Sequence, residues 1–329
     1  FTRVADFFRA TFTQAAYFSV AKFTQDAYFS GAKFTQVAHF SGATFEKVAL
    51  FEAGAEPNAG FSGRADFRYA RFHDYVQFRG PVFAVGEGPG PIFGQAQFEK
   101  PERVLFYQTY LGRALLVNCD FSKCTFSDVR WGRDTKSGRI RLFEETVLPA
   151  DEAAEALRPP DGSADERNYR LIAETYHQIK TNYDSKGDPW TAGEFHYGEM
   201  EMQRLSSPFR RPWVRRLHRH LGLTALYKLA SQYGQSILRP VICLLAVLVL
   251  FMLLYPLGGL RQAAGRGQAA SADQAGAPLT YWNFETGRGK AQGLIKLWGH
   301  SLMTAVAVAS LQRDAAYYEP NHGWARLFS

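Results

Sequence analysis

The sequence predicts a mainly β protein whose first 131 residues coil into a β-solenoid, followed by a helical hairpin and C-terminal transmembrane helices. Three observations predict this order. Phenylalanine recurs with an 11-residue period in the first part of the chain, apolar residues recur at helical spacing after residue 166, and residues 240–260 carry no charge. The composition, with 46% apolar and 21% charged residues among 329, excludes an intrinsically disordered chain.

The repeat is plainest in residues 11–54. Residues 22–32 read KFTQDAYFSGA and residues 33–43 read KFTQVAHFSGA. Phenylalanine recurs at alternating steps of five and six residues, and a small residue usually lies two places before it. Phe1 is already in register, so we expect the sequence to begin within a repeat. The predicted solenoid core consists of Phe7, Phe12, Phe18, Phe23, Phe29, Phe34, Phe40, Phe45, Phe51, Phe61, Phe67, Phe72 and Phe78.

Steps of five and six residues exclude the simpler regular elements. On an α-helix they place successive phenylalanines on different sides, so no apolar stripe forms. On a continuous strand the odd steps alternate between the two faces. A chain that turns every five or six residues and buries one phenylalanine on each side satisfies the spacing. Stacked coils then bury what a single coil cannot.

The stretch from Phe1 to about Trp131, built of units of small residue, any residue and phenylalanine, resembles the pentapeptide-repeat family. This resemblance covers about 40% of the chain. It implies a right-handed, four-sided β-helix in which two 11-residue units form one coil. Residues 84–92 and 107–116 depart from the pattern and are predicted to be loops or irregular coils.

Residues 132–165 are predicted to be a linker, because the run DEAAEALRPPDGSAD is acidic, contains proline and lacks aromatic residues. Residues 166–205 are predicted to be a helical hairpin. Ser163 and Glu166 form a capping-box pair, and Asp188 with Pro189 suits the start of a second helix. This segment resembles one that joins pentapeptide repeats to membrane spans in a group of bacterial membrane proteins. That resemblance implies a membrane-anchored bacterial protein and brings no enzymatic activity with it.

Motifs of catalysis are missing from the sequence. It contains no nucleophile elbow, no Walker loop and no complete dinucleotide fingerprint, so we predict no enzyme, no catalytic residues and no cofactor. His196 and Glu199 are three residues apart on the second predicted helix, a spacing that a metal site could use. A solvated charged face accounts for the same two residues. We therefore predict no metal site and leave the role of both residues open.

Residues 206–239 are predicted to be a basic juxtamembrane segment, and residues 240–260 a transmembrane helix. A helix of that length is roughly 31 Å long at 1.5 Å per residue, which matches a bilayer core of about 30 Å. Basic residues are denser before the span than after it, so the positive-inside rule predicts a solenoid on the cytoplasmic side of the bacterial inner membrane. The basic residues expected to lie on anionic lipid are Arg210, Arg211, Arg215, Arg216 and Arg219. Nucleic-acid binding by the same run is disfavoured, because Trp213 is its only aromatic platform.

Residues 261–293 are predicted to be a polar loop. Residues 294–329 are predicted to be a re-entrant or pore-like helix and the start of a truncated second span. The order of span, loop and short apolar helix resembles two-span pore-loop channels. The filter sequence of potassium channels is missing, because Ala309 to Asp314 stand at its place.

The leading functional hypothesis is a membrane-anchored cytoplasmic solenoid that acts as a protein-interaction scaffold. Its partners would be the lipid bilayer and an unidentified protein, and an oligomer is left open. The alternative is a two-span pore-loop ion channel with a regulatory solenoid. Mimicry of DNA, which the resemblance to acidic pentapeptide-repeat resistance proteins would suggest, is disfavoured. Residues 1–131 contain 14 Lys and Arg against 12 Asp and Glu, and the whole chain carries a charge of +7. No nucleic-acid partner is predicted.

Overall fold

The structure is a computed structural model. It describes residues 1–54, 59–83, 90–147, 157, 167–206, 209, 211–258, 260–262, 298–303, 305–306 and 318–320. The chain divides into two compact units, Phe1–Lys228 and Leu229–Ser329.

Short strands build the N-terminal part of the first unit. In chain order they are β1 (Ala5–Asp6), β2 (Thr11–Phe12), β3 (Ala16–Tyr17), β4 (Lys22–Phe23), β5 (Ala27–Tyr28), β6 (Lys33–Phe34), β7 (Ala38–His39), β8 (Thr44–Phe45), β9 (Ala49–Glu52), β10 (Gly60–Phe61), β11 (Ala65–Asp66), β12 (Arg71–Phe72), β13 (Val76–Arg79), β14 (Gln97–Phe98), β15 (Val104–Tyr107) and β16 (Thr125–Ser127).

These strands form the four sides of a β-solenoid. Their parallel sheets have the orders β1-β5-β9-β13-β15-β16, β2-β6-β10, β3-β7-β11 and β4-β8-β12-β14. Consecutive strands from β1 to β12 visit the four sheets in turn, so the chain completes one coil with every four strands. About four coils lead to β14, and β15 and β16 then extend the first sheet. The predicted four-sided β-solenoid is therefore confirmed.

The register shows what one coil contains. Ala5 pairs with Ala27 and Ala27 with Ala49, so two 11-residue units form one coil in the regular part. The spacing later lengthens, yet Phe34 still pairs with Phe61. The register is thus kept across the longer spacing, and a one-residue shift of the pairing would move the phenylalanine out of the core.

The core consists of columns of stacked phenylalanine rings. Within a column the distance between ring centroids runs from 4.6 Å for Phe34 and Phe61 to 5.7 Å for Phe61 and Phe83. Rings of different columns also meet edge to face, as Phe23 with Phe29 and Phe29 with Phe40 do, a favourable aromatic geometry. Of the predicted core residues, Phe7 and Phe12 are half-buried and the others are buried. Phe7 and Phe12 belong to the first coil, so each has a stacking partner in the next coil only, Phe29 and Phe34 respectively.

The first part of the predicted linker packs against the hydrophobic core. Arg133 and Ile140 form an antiparallel bridge, and a 3₁₀-helix spans Phe143–Glu145. Ile140 and Leu142 are buried, as expected for apolar residues at alternating positions of an extended segment that covers a core. Another 3₁₀-helix, Pro101–Arg103, precedes β15. Apart from Leu157, residues 148–165 lie outside the described residues.

Two helices follow, α1 (Tyr169–Ser185) and α2 (Pro189–Leu205). They pack against each other as a hairpin. The N-cap of α2 is Asp188, as its sequence predicts, and its Oδ1 accepts from the amide of Thr191 at 3.0 Å. The N-cap of α1 is Asn168 rather than Ser163, since the amide of Leu171 donates to Asn168 Oδ1 at 3.2 Å. Ser163 and Glu166 lie outside the described residues.

The hairpin covers the C-terminal end of the solenoid. Asn182 of α1 is fully buried, and its Nδ2 donates to the carbonyl oxygens of Phe121 and Cys124, both at 2.6 Å. Gln178, one turn earlier, accepts from the amide of Phe121 at 3.3 Å. Backbone groups of the last coil have no following coil to pair with, and side chains of α1 provide their partners instead.

Three further helices follow: α3 (Pro212–Leu221), α4 (Leu223–Ser231) and α5 (Leu238–Gly258). Strands β17 (Leu260–Gln262) and β18 (Tyr318–Pro320) pair antiparallel. Residues 298–303 are helical, and Ser301 Oγ donates to the carbonyl oxygen of Met252 at 2.6 Å.

The predicted transmembrane segment, residues 240–260, coincides largely with α5. Among the residues that the structure describes, however, no helix has both the length and the apolar character that crossing a membrane requires. The prediction of transmembrane helices therefore has no support from the structure. Most of the predicted polar loop and of the pore-like region falls outside the described residues, including 307–317.

Candidate interaction surface

One side of the solenoid carries a row of aromatic and charged side chains that point outward. Tyr17 on β3, His39 on β7 and Asp66 on β11 are paired in register, so they form one column on the outer face. The Tyr17 and His39 rings are stacked, with centroids 5.0 Å apart and planes inclined by 4°. Tyr17 is 75% exposed and therefore presents most of its surface to solvent.

Asp66 holds the far end of this row in place. It is almost fully buried, and its carboxylate accepts from Arg68 Nε at 3.0 Å and from Arg68 Nη2 at 2.7 Å. His39 Nδ1 lies 4.0 Å from Asp66 Oδ2. A fork-shaped contact of this kind fixes both side chains, so the row is preorganised.

The corner next to this row contains residues in an unfavourable backbone conformation. Val20, Gly42 and Tyr69 occupy the same corner in successive coils, with φ values of 58°, 67° and 59°. Glycine adopts this left-handed conformation readily, whereas other L-residues lose roughly 1–2 kcal/mol and β-branched residues are especially rare there. Val20 and Tyr69 are also 80% and 56% exposed. We name Tyr17, Val20, His39 and Tyr69 the Tyr17 surface.

A second side of the solenoid is different in character. On the sheet of β4, β8, β12 and β14, charged side chains pair between coils. Lys22 lies 2.7 Å from Glu46, and His73 lies 2.7 Å from Glu99. These pairs are partly exposed and contribute little stability, but they leave this side polar. The Tyr17 surface is the more apolar of the two sides.

The sequence contains a signal for this surface that phenylalanine spacing alone does not use. The second residue after the phenylalanine of FSGA is glycine at position 42, and the equivalent units read FSVA and FRYA around Val20 and Tyr69. Val20 and Tyr69 thus stand where another repeat has glycine, although the left-handed backbone conformation is unfavourable for both residues. Arg9, Gln95 and Asn118 have similar φ values, so the conformation is a regular feature of the coil. Val20 and Tyr69 differ from these residues in placing apolar or aromatic side chains there.

The predicted basic residues lie on or beside α3. Arg210 lies outside the described residues, and Arg211 precedes the helix and is exposed. Arg216 is exposed, and Arg215 is half-buried. Arg219 is held differently, because its Nη2 donates to the carbonyl oxygen of Leu205 at 2.9 Å.

The same helix exposes an apolar stripe. Trp213, Leu217 and Leu221 are spaced four residues apart, so they share one face of α3, and they are 63%, 50% and 65% exposed. A short helix with an apolar stripe and basic neighbours is typical of segments that lie at a lipid surface. The sequence analysis identified the arginines but not this stripe.

Glu199 on α2 is the centre of a charged cluster. Its carboxylate lies 3.0 Å from His177 Nδ1, 3.3 Å from Lys180 Nζ and 3.6 Å from His196 Nδ1. Within the described part of the chain, no group of three or more His, Cys, Asp or Glu side chains could hold a metal ion. The geometry is that of a carboxylate neutralised by surrounding donors.

The buried cysteines are also unsuited to chemistry. Burial raises the pKa of the Cys119 and Cys124 thiols far above its usual range, so the reactive thiolate is disfavoured at neutral pH. Both residues fill small inward positions of the solenoid, as their place in the repeat predicts.

The comparisons with known proteins concern the repeat. The family described as pentapeptide repeats (9 copies) matches residues 1–54. Neither a curated protein nor a solved structure matches the chain. The matched residues are those that form β1 to β9 of the solenoid. Residues 1–54 are therefore similar to pentapeptide repeats, and they form the first part of a β-solenoid that helices follow.

Proposed function

We propose that this protein is a non-catalytic scaffold, in which the solenoid binds a protein partner and the C-terminal helices hold it at the bacterial inner membrane. The Tyr17 surface carries the proposal. It combines exposed aromatic rings with two side chains, Val20 and Tyr69, that are retained in strained backbone conformations. Aromatic residues are enriched at the energetically important centres of interfaces.

The solenoid suits such a role because it is rigid. Parallel ladders join successive coils, and the phenylalanine columns fill the interior. Side chains on a rigid surface lose little conformational entropy when a partner binds. The hairpin secures the C-terminal end, so the surface does not depend on a partner for its shape.

Attachment to the membrane is the second part of the proposal. On α5, Val241, Ile242, Leu244 and Leu245 are each about half exposed, and α3 adds its stripe of Trp213, Leu217 and Leu221. Apolar surface of this extent is unfavourable in water, and lipid is the cover we propose for it. The basic residues of α3 would face anionic headgroups on the cytoplasmic side, in accord with the positive-inside rule.

Site-specific photocrosslinking tests the protein-binding role. One variant carries p-benzoylphenylalanine in place of Tyr17, and a matched variant carries it in place of exposed Arg71 on the sheet of β4, β8, β12 and β14. Both full chains are expressed in a bacterial host and irradiated. We expect one adduct of defined mass from position 17 only. The same adduct from both positions, or none from position 17, would contradict the proposal.

Membrane attachment has its own test. Membranes of the expressing host are washed with alkaline carbonate, and spheroplasts are treated with protease before and after lysis. We expect the protein to remain in the washed membranes and the solenoid to be cleaved only after lysis. Release by carbonate would rule out stable anchoring, and cleavage in intact spheroplasts would reverse the orientation.

A measurement of ion flux distinguishes the channel hypothesis from the scaffold proposal. The chain is reconstituted in liposomes beside a variant in which residues 294–311 are scrambled. The scaffold proposal predicts equal, background flux from both. Flux that only the unscrambled chain supports would favour a channel with a regulatory solenoid.

A further inference from the structure

We propose that a cleft at the C-terminal end of the solenoid binds the oxyanion of a small phosphate ester, with Arg113 as its anchor. The cleft has a volume of about 300 Å³, at the lower end of the range for small-molecule sites. Its walls come from the last coil and from the packed segment that follows it. Its polar lining includes Tyr110, Arg113, Arg133, Asp134, Thr135 and Arg141.

Arg113 is the reason for assigning an anion. Its guanidinium lies over the Phe143 ring, 4.9 Å from the centroid, which fixes its position. Its Nε is buried, and among the described residues it has no hydrogen-bond acceptor. A guanidinium is always charged, and a buried donor without a partner is unfavourable. The guanidinium lines the cleft, so an oxyanion there would supply the opposite charge, although the buried Nε itself lies out of its reach.

Two further arginines line the cleft, and both are held in place by carboxylates. Arg133 Nη1 lies 3.0 Å from Glu194 Oε2. Arg141 Nη1 lies 3.4 Å from Asp134 Oδ1, and Arg141 Nε lies 3.2 Å from Glu145 Oε2. Each guanidinium has five donors, so these contacts leave donor capacity for a ligand.

Asp134 is the acidic residue of the lining, and its charge is already compensated. Its Oδ2 accepts from Ser137 Oγ and from the Ser137 amide, each at 2.8 Å. These hydrogen bonds lower the pKa of the Asp134 carboxyl. Carboxylates therefore pair with Arg133 and Arg141, whereas Arg113 has no carboxylate partner among the described residues. An anion would be attracted to the charge of Arg113.

The backbone around the cleft is closely packed. A Cβ at Gly132 would lie 2.7 Å from the carbonyl oxygen of Gly112, and a Cβ at Gly112 would lie 2.4 Å from Tyr110 Oη. Backbone atoms leave no room for a side chain at Gly132, whereas a side chain at Gly112 would have to displace the Tyr110 ring. The wall therefore has a defined shape, which suits a compact tetrahedral group better than a long flexible chain.

Calorimetric titration of the full chain in detergent, at low salt, tests the site with inorganic pyrophosphate as the probe. We expect one site, about tenfold or more weaker in Arg113→Gln, and an intermediate loss in Arg113→Lys, which keeps the charge but not the fork. Arg71→Gln, far along the solenoid, is the matched control and should bind like the parent. Absence of binding to the parent chain, or an equal loss in Arg71→Gln, would overturn the proposal. Succinate distinguishes the ligand class, and equal binding of this dicarboxylate would overturn the assignment to phosphate.

A second measurement needs no variant, in case Arg113→Gln fails to fold. Phenylglyoxal modifies accessible arginines, and peptide mapping reports each position separately. We expect pyrophosphate to protect Arg113 and to leave Arg71 unchanged. Modification of Arg113 at the same rate with and without pyrophosphate would contradict the site.

Discussion

Tyr183 on α1 continues a column of solenoid phenylalanines into the helical hairpin. Its ring lies 6.0 Å from that of Phe126, with the planes inclined by 16°, and the next ring beyond it is Phe195 of α2 at 5.6 Å. Trp131 Nε1 donates to the Tyr183 hydroxyl at 2.9 Å. The stacking that joins one coil to the next thus also joins the last coil to the hairpin.

Replacement of Tyr183 tests this junction. Tyr183→Ala removes a stacked, half-buried ring and should lower the free energy of unfolding by about 2–4 kcal/mol. Tyr183→Phe keeps the ring and removes only the hydrogen bond from Trp131, so a loss of about 1 kcal/mol is expected. Urea unfolding of both variants measures the difference. Equal losses would mean that the hydrogen bond, not the ring stack, holds the hairpin.

The phenylalanine columns predict large effects of truncation inside the solenoid. Phe29→Ala or Phe34→Ala should each lower the free energy of unfolding by roughly 3–5 kcal/mol, because each leaves a cavity between stacked rings. Tyr17→Ala in β3 removes a ring that is mostly exposed, and a loss below about 1 kcal/mol is expected. Denaturant titration compares the three. A loss below 1 kcal/mol for Phe29→Ala would contradict the burial of its ring.

Replacement of Val20 at the left-handed corner should affect stability and partner binding in opposite directions. Val20→Gly relieves a left-handed conformation that valine rarely adopts, and it should change the free energy of unfolding by no more than about 1 kcal/mol, in the stabilising direction. Gly42→Val at the same corner introduces the strain and should destabilise. Under the scaffold proposal, Val20→Gly also weakens the crosslinked adduct from position 17. If Val20→Gly lowers the free energy of unfolding and leaves the adduct yield unchanged, both the expected relief of strain and the role of Val20 in binding are contradicted.

A buried carboxyl predicts a pH dependence of stability. Glu144 is fully buried, one oxygen accepts from the amide of Leu116, and the other has no hydrogen-bond partner among the described residues. Burial raises the pKa of Glu144 to about 7, and the neighbouring Glu145 adds to the shift. The folded state therefore holds a proton that the unfolded chain releases from about pH 4.5 upward.

Because the folded state binds this extra proton, the free energy of unfolding decreases as the pH rises. The contribution of Glu144 is fully present below about pH 4.5 and is lost as the pH rises through about 7, by an amount on the order of 3 kcal/mol. Glu144→Gln keeps the shape and cannot ionise, so this dependence should disappear. Unfolding measured at several pH values between 4.5 and 8 compares the two proteins. An identical pH profile for both would show that Glu144 is not the titrating group.

The solenoid could be predicted from the amino-acid sequence alone. A repeat that places one phenylalanine on each side brings equivalent residues into register in every coil, so Phe23, Phe45 and Phe72 stack without any further information. The helices of the hairpin could also be predicted, because their apolar spacing and the cap at Asp188 are local signals. The arginines of α3 were visible as a run of charge.

The contacts that join the last coil, the segment after it and the hairpin became apparent in the tertiary structure alone. Asn182 reaches carbonyl groups 58 and 61 residues away, and Glu144 reaches the amide of Leu116, 28 residues away. The position of Arg113 over Phe143 is also a contact between distant parts of the chain. No repeat or helical period encodes such pairs, because they depend on which groups a single packing arrangement leaves buried. Periodicity therefore specifies the body of this protein, and long-range packing specifies its junction and candidate binding cleft.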